Sequence, residues 1–415
     1  MDIAKQLQSA KDACQKLIGV KESVINEILA TLAATIEAQT DEILRANRQD
    51  LENLHSDDSR FARLRLTPQK INDIAAGIRS VAALPAPVNN VLEERRLPNG
   101  LKLSRVSVPL GVVGVIYEAR PNVTPDVFSL CLKSRNACVL KGGREAHASH
   151  RVFVDIIHEI LRQHHLPENC AVLLPPEREV VTALLQARGY VDVLIPRGGA
   201  ALIKMVREMA RVPIIETGAG VVHTYVDASS DVALAARVIE NAKTNRPAAC
   251  NSLDTLLVHQ TLLSQLEKII APLLKHEVII LADAAAYGAL SGVYPAALLR
   301  DATVDDFGRE FLSLQMSIKT VAGIEEALAH IAKYGSGHSE AIISTNPQAI
   351  EVFLEAVDAA AVYANAATVF TDGGQFGLGC EVGISTQKLH ARGPMGLSAL
   401  TTYKWIIRGA GQIRD

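Results

Sequence analysis

The stretch VVGVIYEARPNVTPDVFSLCLKSRNACVLKGG, residues 112–143, decides the fold. It opens with VVGVIYEA, an apolar run typical of a buried strand. It continues with DVFSLCLKSR, whose apolar residues have helical spacing, and it ends in a second strand-like run, ACVLKGG. A strand, a helix and a second strand in this order predict a crossover unit in a parallel sheet that helices cover on both faces.

The same alternation continues to residue 218 and starts again at Asp231. Strands are predicted at CAVLLP, VDVLIPRGG and VPIIETG, and then at LDTLLVH, EVIILAD, LSLQMSIKTV, SEAIIST and AAVYAN. The pattern therefore predicts an α/β protein with two tandem Rossmann-like domains. Ligands of such sheets bind beyond the carboxyl ends of the strands.

The segments before the first sheet have a different character. Residues 24–54, VINEILATLAATIEAQTDEILRANRQDLENL, have apolar residues at three- and four-residue steps and predict a helical cover. The segment RRLPNGLKLSRVSVPL predicts a projecting β-hairpin near 94–110, with its turn at Pro98–Gly100. We expect domains over 1–228 and 229–365, followed by a return segment over 366–415.

Composition excludes several classes of protein. The 42 basic and 45 acidic residues are interspersed and give a net charge of −3, which argues against a nucleic-acid partner or a charged membrane-binding surface. No apolar run approaches the roughly 20 residues of a membrane span. The six cysteines form no CxxC pair, so free thiols in a reduced, cytoplasmic protein are expected. His147, His150 and His158 are irregularly spaced and favour a solvated helix face over a metal site.

Cys250 stands out among the cysteines. In NAKTNRPAACNSLDTLLVH, residues 241–259, turn-forming and polar residues flank it at the boundary between a helix and a strand. Active-site residues are often carried at such boundaries, whereas Cys131 and Cys138 lie in an apolar segment typical of core. Cations at Lys243 and Arg246 would favour a thiolate. These features indicate a nucleophile.

Four segments carry a resemblance to a known family: VPLGVVGVIYEARPNVTPDV, DVLIPRGGAALI, NAKTNRPAACNSLDTLLV and FTDGGQFGLGCEVGISTQKLHARGPMGLSALTTYKW. They resemble the gamma-glutamyl phosphate reductases of the aldehyde dehydrogenase superfamily, nearly end to end. The resemblance implies an aldehyde-dehydrogenase-like fold with a β-rich oligomerisation arm. It makes 1–228 the NADPH-binding domain, 229–365 the catalytic domain that carries Cys250, and 366–415 the return segment and oligomerisation arm. It implies that NADPH reduces L-glutamyl 5-phosphate to L-glutamate 5-semialdehyde, with release of phosphate, in proline biosynthesis. It also implies a homo-oligomer, dimer or tetramer, and a functional link to glutamate 5-kinase.

The resemblance assigns roles to single residues. Cys250 matches the nucleophile, and Asn122 matches the amide that stabilises the oxyanion, although it could instead cap a helix expected to start at Asp126. Lys141 matches the lysine that contacts the adenosine ribose, and Glu310 matches the acid that holds the nicotinamide ribose. For Lys141 and Glu310 the alternative is an ordinary solvated charge.

Two glycine pairs bear on the cofactor. Gly198 and Gly199 stand between a strand and a helix, where backbone N–H groups and the helix dipole suit a phosphate, although no GxGxxG is present. Lys141 and Arg144 flank Gly142-Gly143, and two cations there favour the 2′-phosphate of NADPH. Glu145 is the competing feature, because a carboxylate that accepts ribose hydroxyls would favour NADH.

The chain departs from the family in one loop. The family usually has NASTRFTDGG, whereas this chain has NAATVFTDGG, with Ala367 for serine and Val369 for arginine. Valine cannot bind a carboxylate or phosphate, so either affinity is reduced or another cation anchors the substrate. The candidate cations are Arg120, Lys388 and Arg392. Cys380 replaces an alanine and is either packed or a second exposed thiol.

Three other functions remain open at this stage. A hydrolytic aldehyde dehydrogenase would use Glu216 as the base that activates water. A thiol hydrolase or acyltransferase would pair Cys250 with His223 or His338. A non-catalytic nucleotide-binding scaffold would tolerate Cys250→Ser.

Overall fold

The computed structural model describes residues 2–52, 54–55, 58 and 60–414. The chain forms two compact units. The first comprises Met1–Thr217, Phe376–Gly383 and Leu389–Asp415, and the second comprises Gly218–Gln375 and Ile384–Lys388. The domain bounds expected from the sequence are functional assignments and stay predictions. The expected helical run over 24–54 includes Asn53, which lies outside the described residues.

Helices and strands alternate over most of the chain. The described α-helices are α1 (Ile3–Leu17), α2 (Glu22–Ala38), α3 (Thr40–Leu51), α4 (Phe61–Leu64), α5 (Pro68–Ala83), α6 (Val123–Lys133), α7 (His147–Gln163), α8 (Arg178–Leu185), α9 (Ala200–Met209), α10 (Val232–Thr244), α11 (Leu266–Ile270), α12 (Ala284–Leu290), α13 (Ile324–Tyr334) and α14 (Pro347–Ala356). The described strands are β1 (Val91–Arg96), β2 (Lys102–Pro109), β3 (Val112–Tyr117), β4 (Ala137–Gly142), β5 (Ala171–Leu173), β6 (Val193–Arg197), β7 (His223–Val226), β8 (Thr255–His259), β9 (Ile279–Ala282), β10 (Leu299–Asp301), β11 (Gln315–Val321), β12 (Ser339–Ile343), β13 (Ala361–Ala364), β14 (Ile384–Ser385), β15 (Gly393–Pro394) and β16 (Thr401–Arg408).

The first unit is built on a parallel sheet with strand order β5-β4-β3-β6. Val113 and Val115 of β3 pack into a cluster with buried residues of α2, α5, α6 and α7. Val112 and Ile116 point the other way, into a cluster with α1, α8 and α9. Alternate residues of a strand face opposite sides, so helices cover both faces of the sheet as the sequence predicts.

An antiparallel sheet in the order β1-β2-β16, which we call the arm, belongs to the same unit. The turn at Pro98–Gly100 joins β1 to β2 where the sequence predicts a hairpin. Gly100 has φ of +89°, a conformation that favours glycine. Most residues of β1 and β16 are exposed, including Trp405, and Arg95 and Arg105 stack on its ring.

The second unit is built on a parallel sheet with strand order β10-β9-β11-β8-β7-β12-β13. Leu256 and Val258 of β8 pack with α10, α11 and α12, whereas Leu257 packs with α13 and α14. This sheet too is therefore covered on both faces. The two tandem parallel-sheet units of the prediction are confirmed.

The strand predicted at VPIIETG is wrong. Only one isolated bridge joins this segment to β6: Leu194 donates to the carbonyl of Pro213, and Ile215 donates to the carbonyl of Leu194. The next ladder donor along β6 would be Pro196, which has no N–H. The hydroxyl of Thr217 donates to the Pro196 carbonyl instead, at 2.6 Å, and the segment leaves the sheet.

Strand β7 is absent from the sequence prediction, because His223 and Thr224 interrupt its apolar pattern. The structure buries both residues. The backbone N–H of His223 donates to Oε2 of Glu340 at 2.8 Å, and its Nδ1 lies 3.1 Å from the same oxygen. A buried carboxylate therefore compensates for the polar start of this central strand.

Candidate active site

Cys250 lies in the turn that joins α10 to β8, the boundary that the sequence indicates. Ala249 donates to the carbonyl of Arg246 at 3.0 Å, and Ser252 donates to the carbonyl of Ala249 at 3.1 Å. These bonds curl the chain on both sides of Cys250, which is half-buried. A cysteine on such a turn is held by backbone bonds and not by a surrounding apolar core.

Gly220 makes the closest backbone approach to this turn. A Cβ on Gly220 would lie 2.5 Å from the carbonyl carbon of Cys250 and closer still to its oxygen. No side chain fits there, so this position requires glycine. The N–H of Gly220 donates to Oε1 of Glu310 at 3.0 Å. The second unit thus brings Cys250 and Glu310 together through a glycine that sequence reasoning missed, although TGAG at residues 217–220 was a signal.

A buried ion pair anchors the same region. Nζ of Lys243 donates to the carbonyl of Leu253 at 2.7 Å and lies 3.9 Å from Oδ1 of Asp254. Asp254 also accepts from the N–H groups of Phe311 at 3.0 Å and Val222 at 3.3 Å. Burial lowers the pKa of Lys243 and raises the pKa of Asp254, and the opposite charges counteract both shifts.

The carboxylate of Asp254 fixes the backbone beside two residues of the site. Its donors are the N–H of Val222, two residues after Gly220, and the N–H of Phe311, directly after Glu310. The Lys243 ammonium, expected from sequence to favour a Cys250 thiolate, binds this carboxylate and a carbonyl. Arg246, the other expected cation, is exposed and lies 3.4 Å from Asp372.

Asn251 attaches the loop that departs from the family. Its Nδ2 donates to the carbonyls of Val369 at 3.2 Å and Thr371 at 3.0 Å. Ala367 is buried in the apolar core of the second unit, and Val369 packs against the same core. The two substituted residues therefore contribute packing, while the loop remains bound to the residue next to Cys250.

In the first unit, Asn122 immediately precedes α6. This helix begins at Val123, earlier than the expected Asp126, and the Asn122 side chain makes no capping bond, so the capping alternative is wrong. Its Nδ2 donates to Oδ2 of Asp126 at 2.9 Å. The amide is thus oriented by a carboxylate one turn further along the helix.

Cys380 packs against the same helix. Its Sγ lies 3.7 Å from both Oγ of Ser129 and the carbonyl of Asp126. Burial, with the nearby Asp126 charge, raises the pKa of the Cys380 thiol well above its usual range. Of the two alternatives for Cys380, packing is confirmed. Cys131 and Cys138 are buried as expected.

Lys141 is the penultimate residue of β4 and is only 4% exposed, which rules out a solvated surface charge. Its Nζ donates to the carbonyls of Gly142 at 3.0 Å and Pro176 at 3.2 Å, and burial lowers its pKa. Arg144 is exposed. Glu145 turns back on the chain, and its Oε1 accepts from the N–H of Ala119 at 2.9 Å. The competing carboxylate therefore already has a partner.

Gly199 immediately precedes α9, the helix start that the sequence assigns to a phosphate. Its N–H donates to Oε2 of Glu118 at 3.1 Å. A Cβ on Gly198 would lie 2.6 Å from the same oxygen. Sequence reasoning missed Glu118, which places a carboxylate at this helix terminus.

The three candidate substrate cations differ in their surroundings. Arg120 is half-buried and follows Ala119, whose φ is +37°. Lys388 is exposed and pairs with the exposed Asp358 at 2.6 Å. Arg392 is exposed.

The side chains that the alternative functions would require are bound to other residues. Both carboxylate oxygens of Glu216 accept from Arg207, at 2.8 and 3.0 Å from its Nε. His223 is buried on Glu340, and Nδ1 of His338 lies 2.8 Å from Oγ of Ser339. Burial lowers the pKa of His338 to about 4. A carboxylate held by arginine suits a general base poorly. The imidazole of His338, with its lowered pKa, is a weak base for a thiol, and that of His223 is already bound to Glu340.

The described residues contain no group of histidine, cysteine, aspartate and glutamate side chains that could hold a metal ion. Within the same described residues, the helices are all too short or too polar to span a bilayer.

The Gly220 contact yields a prediction. Gly220→Ala should push the Cys250 turn away, change the rate of Cys250 alkylation by iodoacetamide at least about tenfold, and lower the free energy of unfolding by about 1–3 kcal/mol. The matched control is Gly288→Ala in α12 of the same unit, where a Cβ meets nothing within 4 Å. A helical alanine there should raise stability by up to about 1 kcal/mol and leave alkylation unchanged. Identical behaviour of the two variants would show that the close approach has no influence on Cys250.

Comparisons with known proteins indicate one family. The model of the aldehyde dehydrogenase family matches residues 1–287. The chain is 56% identical over 413 residues to gamma-glutamyl phosphate reductase of Chlorobium limicola, which covers 100% of this chain and 99% of that protein. It is 51% identical over 415 residues to the Bacteroides fragilis protein of the same name, with 100% of both covered.

Solved structures support the same placement. The crystal structure of gamma-glutamyl phosphate reductase from Thermotoga maritima matches with a TM-score of 0.92 and 38% identity over 99% of both chains. An acetylating aldehyde dehydrogenase from Geobacillus thermoglucosidasius, 18% identical, shares the fold with a TM-score of 0.74 over 100% of this chain and 99% of that one. The expected aldehyde-dehydrogenase-like α/β fold is confirmed. The chain therefore belongs to the aldehyde dehydrogenase family and, within it, to the gamma-glutamyl phosphate reductases.

Proposed function

We propose that the protein uses NADPH to reduce L-glutamyl 5-phosphate to L-glutamate 5-semialdehyde and phosphate, in proline biosynthesis. One observation carries the proposal. A half-buried cysteine lies on a backbone-bonded turn against Gly220, in a chain 56% identical over its length to a gamma-glutamyl phosphate reductase. An acyl phosphate calls for a nucleophile that displaces phosphate readily and later leaves readily itself, and a thiolate does both.

Cys250 is the proposed nucleophile. Its thiolate attacks the acyl carbonyl, the tetrahedral oxyanion collapses, phosphate leaves, and a thioester on Cys250 remains. The amide of Asn122 and the N–H of Cys250 are the proposed donors to the oxyanion, and losing one such donor typically costs about 100- to 1000-fold in rate. The bond to Asp126 keeps the amide from rotating freely.

A nicotinamide cofactor supplies the hydride that reduces the thioester. The same oxyanion donors then serve a second time, and collapse of that intermediate expels the Cys250 thiolate and releases the aldehyde. Water must not compete for the thioester. The pairing of Glu216 with Arg207 favours this reductase chemistry over the hydrolytic alternative, because the carboxylate that would activate water is held by a cation.

Several residues suit the cofactor. Arg144 is exposed beside the buried Lys141 at the carboxyl end of β4, where ligands of a parallel sheet bind. Glu145, the carboxylate that would favour NADH, accepts from Ala119 instead. Gly198 and Gly199 lead into α9 and suit a phosphate. Glu310, held on the N–H of Gly220, is proposed to bind the nicotinamide ribose.

The loop around Val369 is apolar, so residues outside it must bind the charged groups of the substrate. Val369 packs against the core and cannot bind an anion, so Arg120, Lys388 and Arg392 are the proposed partners of the substrate carboxylate and phosphate. Arg120 is the most buried of the three, which strengthens any ion pair that it makes.

A first prediction tests the chemistry through the reverse reaction, with L-glutamate 5-semialdehyde, NADP and phosphate each omitted in turn. The wild-type protein should require all three. Cys250→Ala should lower the rate more than about 10⁴-fold while NADPH binding, followed by fluorescence, stays nearly unchanged. Cys380→Ala is the matched control and should keep the wild-type rate. Substantial turnover by Cys250→Ala, or turnover without phosphate, would contradict the proposal.

A second prediction concerns cofactor choice. Arg144→Ala should weaken NADPH use by about 10- to 150-fold, the effect of losing one charge-assisted hydrogen bond, and change NADH use much less. Lys141→Ala should act in the same direction. The control is Arg151→Ala, an exposed arginine of α7 that pairs with Asp155. Equal losses with both cofactors would mean that neither cation recognises the 2′-phosphate.

A third prediction concerns assembly. The arm ends in β16, an edge strand whose Tyr403, Trp405 and Ile407 are exposed, and a partner chain would cover such an edge. We therefore propose a dimer or tetramer. Light scattering at micromolar concentration should show the oligomer, and Ile407→Lys should shift it to smaller species. Ile18→Lys, on a residue of similar exposure outside the arm, should not. An active wild-type monomer would overturn this proposal.

The proposed location of the protein is the cytoplasm. The cysteines of the described residues form no disulfide, which suits the reducing cytoplasm. A functional link to glutamate 5-kinase is proposed because a phosphorylating enzyme must supply the acyl phosphate.

A further inference from the structure

Residues 220–223 lead into β7, and side chains bind their backbone. All four consecutive N–H groups donate to side-chain oxygens. The bonds run from Gly220 to Glu310 at 3.0 Å, from Val221 to Ser336 at 2.9 Å, from Val222 to Asp254 at 3.3 Å, and from His223 to Glu340 at 2.8 Å.

The four bonds alternate between the two sides of β7. Glu310 precedes β11 and Asp254 precedes β8, and both strands lie on one side of β7. Ser336 precedes β12 and Glu340 lies within it, on the other side. Successive N–H groups of an extended backbone point to opposite sides. The segment therefore continues β7 beyond its amino end, and side chains supply bonds that neighbouring strands would otherwise supply.

The two acceptors on the β12 side are held together. Ser336 lies in the turn between α13 and β12, directly after Gly335, whose N–H donates to the carbonyl of Ile331 at 2.8 Å. A Cβ on Gly335 would lie 2.6 Å from that carbonyl oxygen and 2.9 Å from Oε1 of Glu340. The turn therefore packs directly on the buried Glu340 side chain.

The position of this segment controls Cys250 because Gly220 lies at its far end. The backbone of Gly220 already approaches the carbonyl of Cys250 too closely for any side chain. Val221 is the next residue, so the acceptor of its N–H limits how far Gly220 can move. Close-packed groups transmit such a shift, and a small displacement of a reacting group is costly to the rate.

We propose that Ser336 and Glu340 are positioning residues for the turn that carries Cys250. Each binds one backbone N–H of residues 220–223 on the β12 side and thereby fixes Gly220. The inference rests on the proposed function, since it takes Cys250 as the nucleophile.

The experiment removes the Ser336 hydroxyl and follows Cys250 in two ways. Ser336→Ala should change the rate of Cys250 alkylation by iodoacetamide and lower kcat of the reverse reaction, each by about two- to tenfold, the effect of losing one neutral hydrogen bond. Ser336→Thr keeps a hydroxyl acceptor and should restore both rates. Glu340→Met should act like Ser336→Ala, whereas Glu340→Gln keeps an acceptor oxygen and should retain most of the activity.

Ser344→Ala is the matched control. Ser344 directly follows β12, and its Oγ accepts from the N–H of Asn346 at 3.0 Å. The substitution removes a bond of the same kind at the opposite end of the same strand. It should lower the free energy of unfolding at least as much as Ser336→Ala and leave both rates at the wild-type value.

The outcomes decide between positioning and a general loss of stability. Ser336→Ala that is alkylated and turns over like Ser344→Ala overturns the inference, and so does Ser336→Thr that restores neither rate. If Glu340→Met does not fold, the Ser336 variants decide. Alkylation needs neither substrate nor cofactor, so a wild-type protein that does not use NADPH and phosphate overturns the proposed function and leaves the test of positioning intact.

Discussion

No side chain fits between Gly220 and the carbonyl of Cys250, and the candidate residues of the second unit depend on this close approach. The N–H of Gly220 binds Glu310, so a displaced turn would move the proposed nucleophile and the proposed ribose ligand together. The buried pair of Lys243 and Asp254 keeps the surrounding backbone in register. Removing one partner of such a pair leaves a buried charge without compensation, so these two residues suit the role of anchors.

Three carboxylates of the first unit already have partners. Glu216 is held by Arg207, Asp126 holds the amide of Asn122, and Glu145 accepts from Ala119. An enzyme that stores its substrate as a thioester must keep water from being activated beside it. Carboxylates bound to cations, amides and backbone N–H groups meet that requirement, whereas a hydrolytic relative needs one carboxylate to act on water.

The sequence correctly predicted the structural features that depend on local periodicity. The covered parallel sheets and the hairpin at Pro98–Gly100 follow from apolar spacing and turn chemistry, and both are present. The errors have tertiary causes. Pro196 withholds a ladder donor from VPIIETG, and a buried carboxylate on another strand compensates for His223 in β7.

The candidate site was only partly predictable for the same reason. Cys250 could be found because turn-forming residues surround it in the chain. The need for glycine at residue 220 and the carboxylate of Glu118 on Gly199 arise between segments far apart in sequence. No local pattern reports such approaches. Val369 shows the converse, since a substitution that looks like a lost ligand proves to be packed against core.

The central claim is that Cys250 carries an acyl group that phosphate, and not water, removes. The most direct measurement is the intact mass of the protein after mixing with L-glutamate 5-semialdehyde and NADP in the absence of phosphate, followed by peptide mapping. The account predicts one acyl group per chain on Cys250, formed together with one NADPH and lost when phosphate is added. Continued turnover without phosphate, or NADPH formation with Cys250 unmodified, would contradict it.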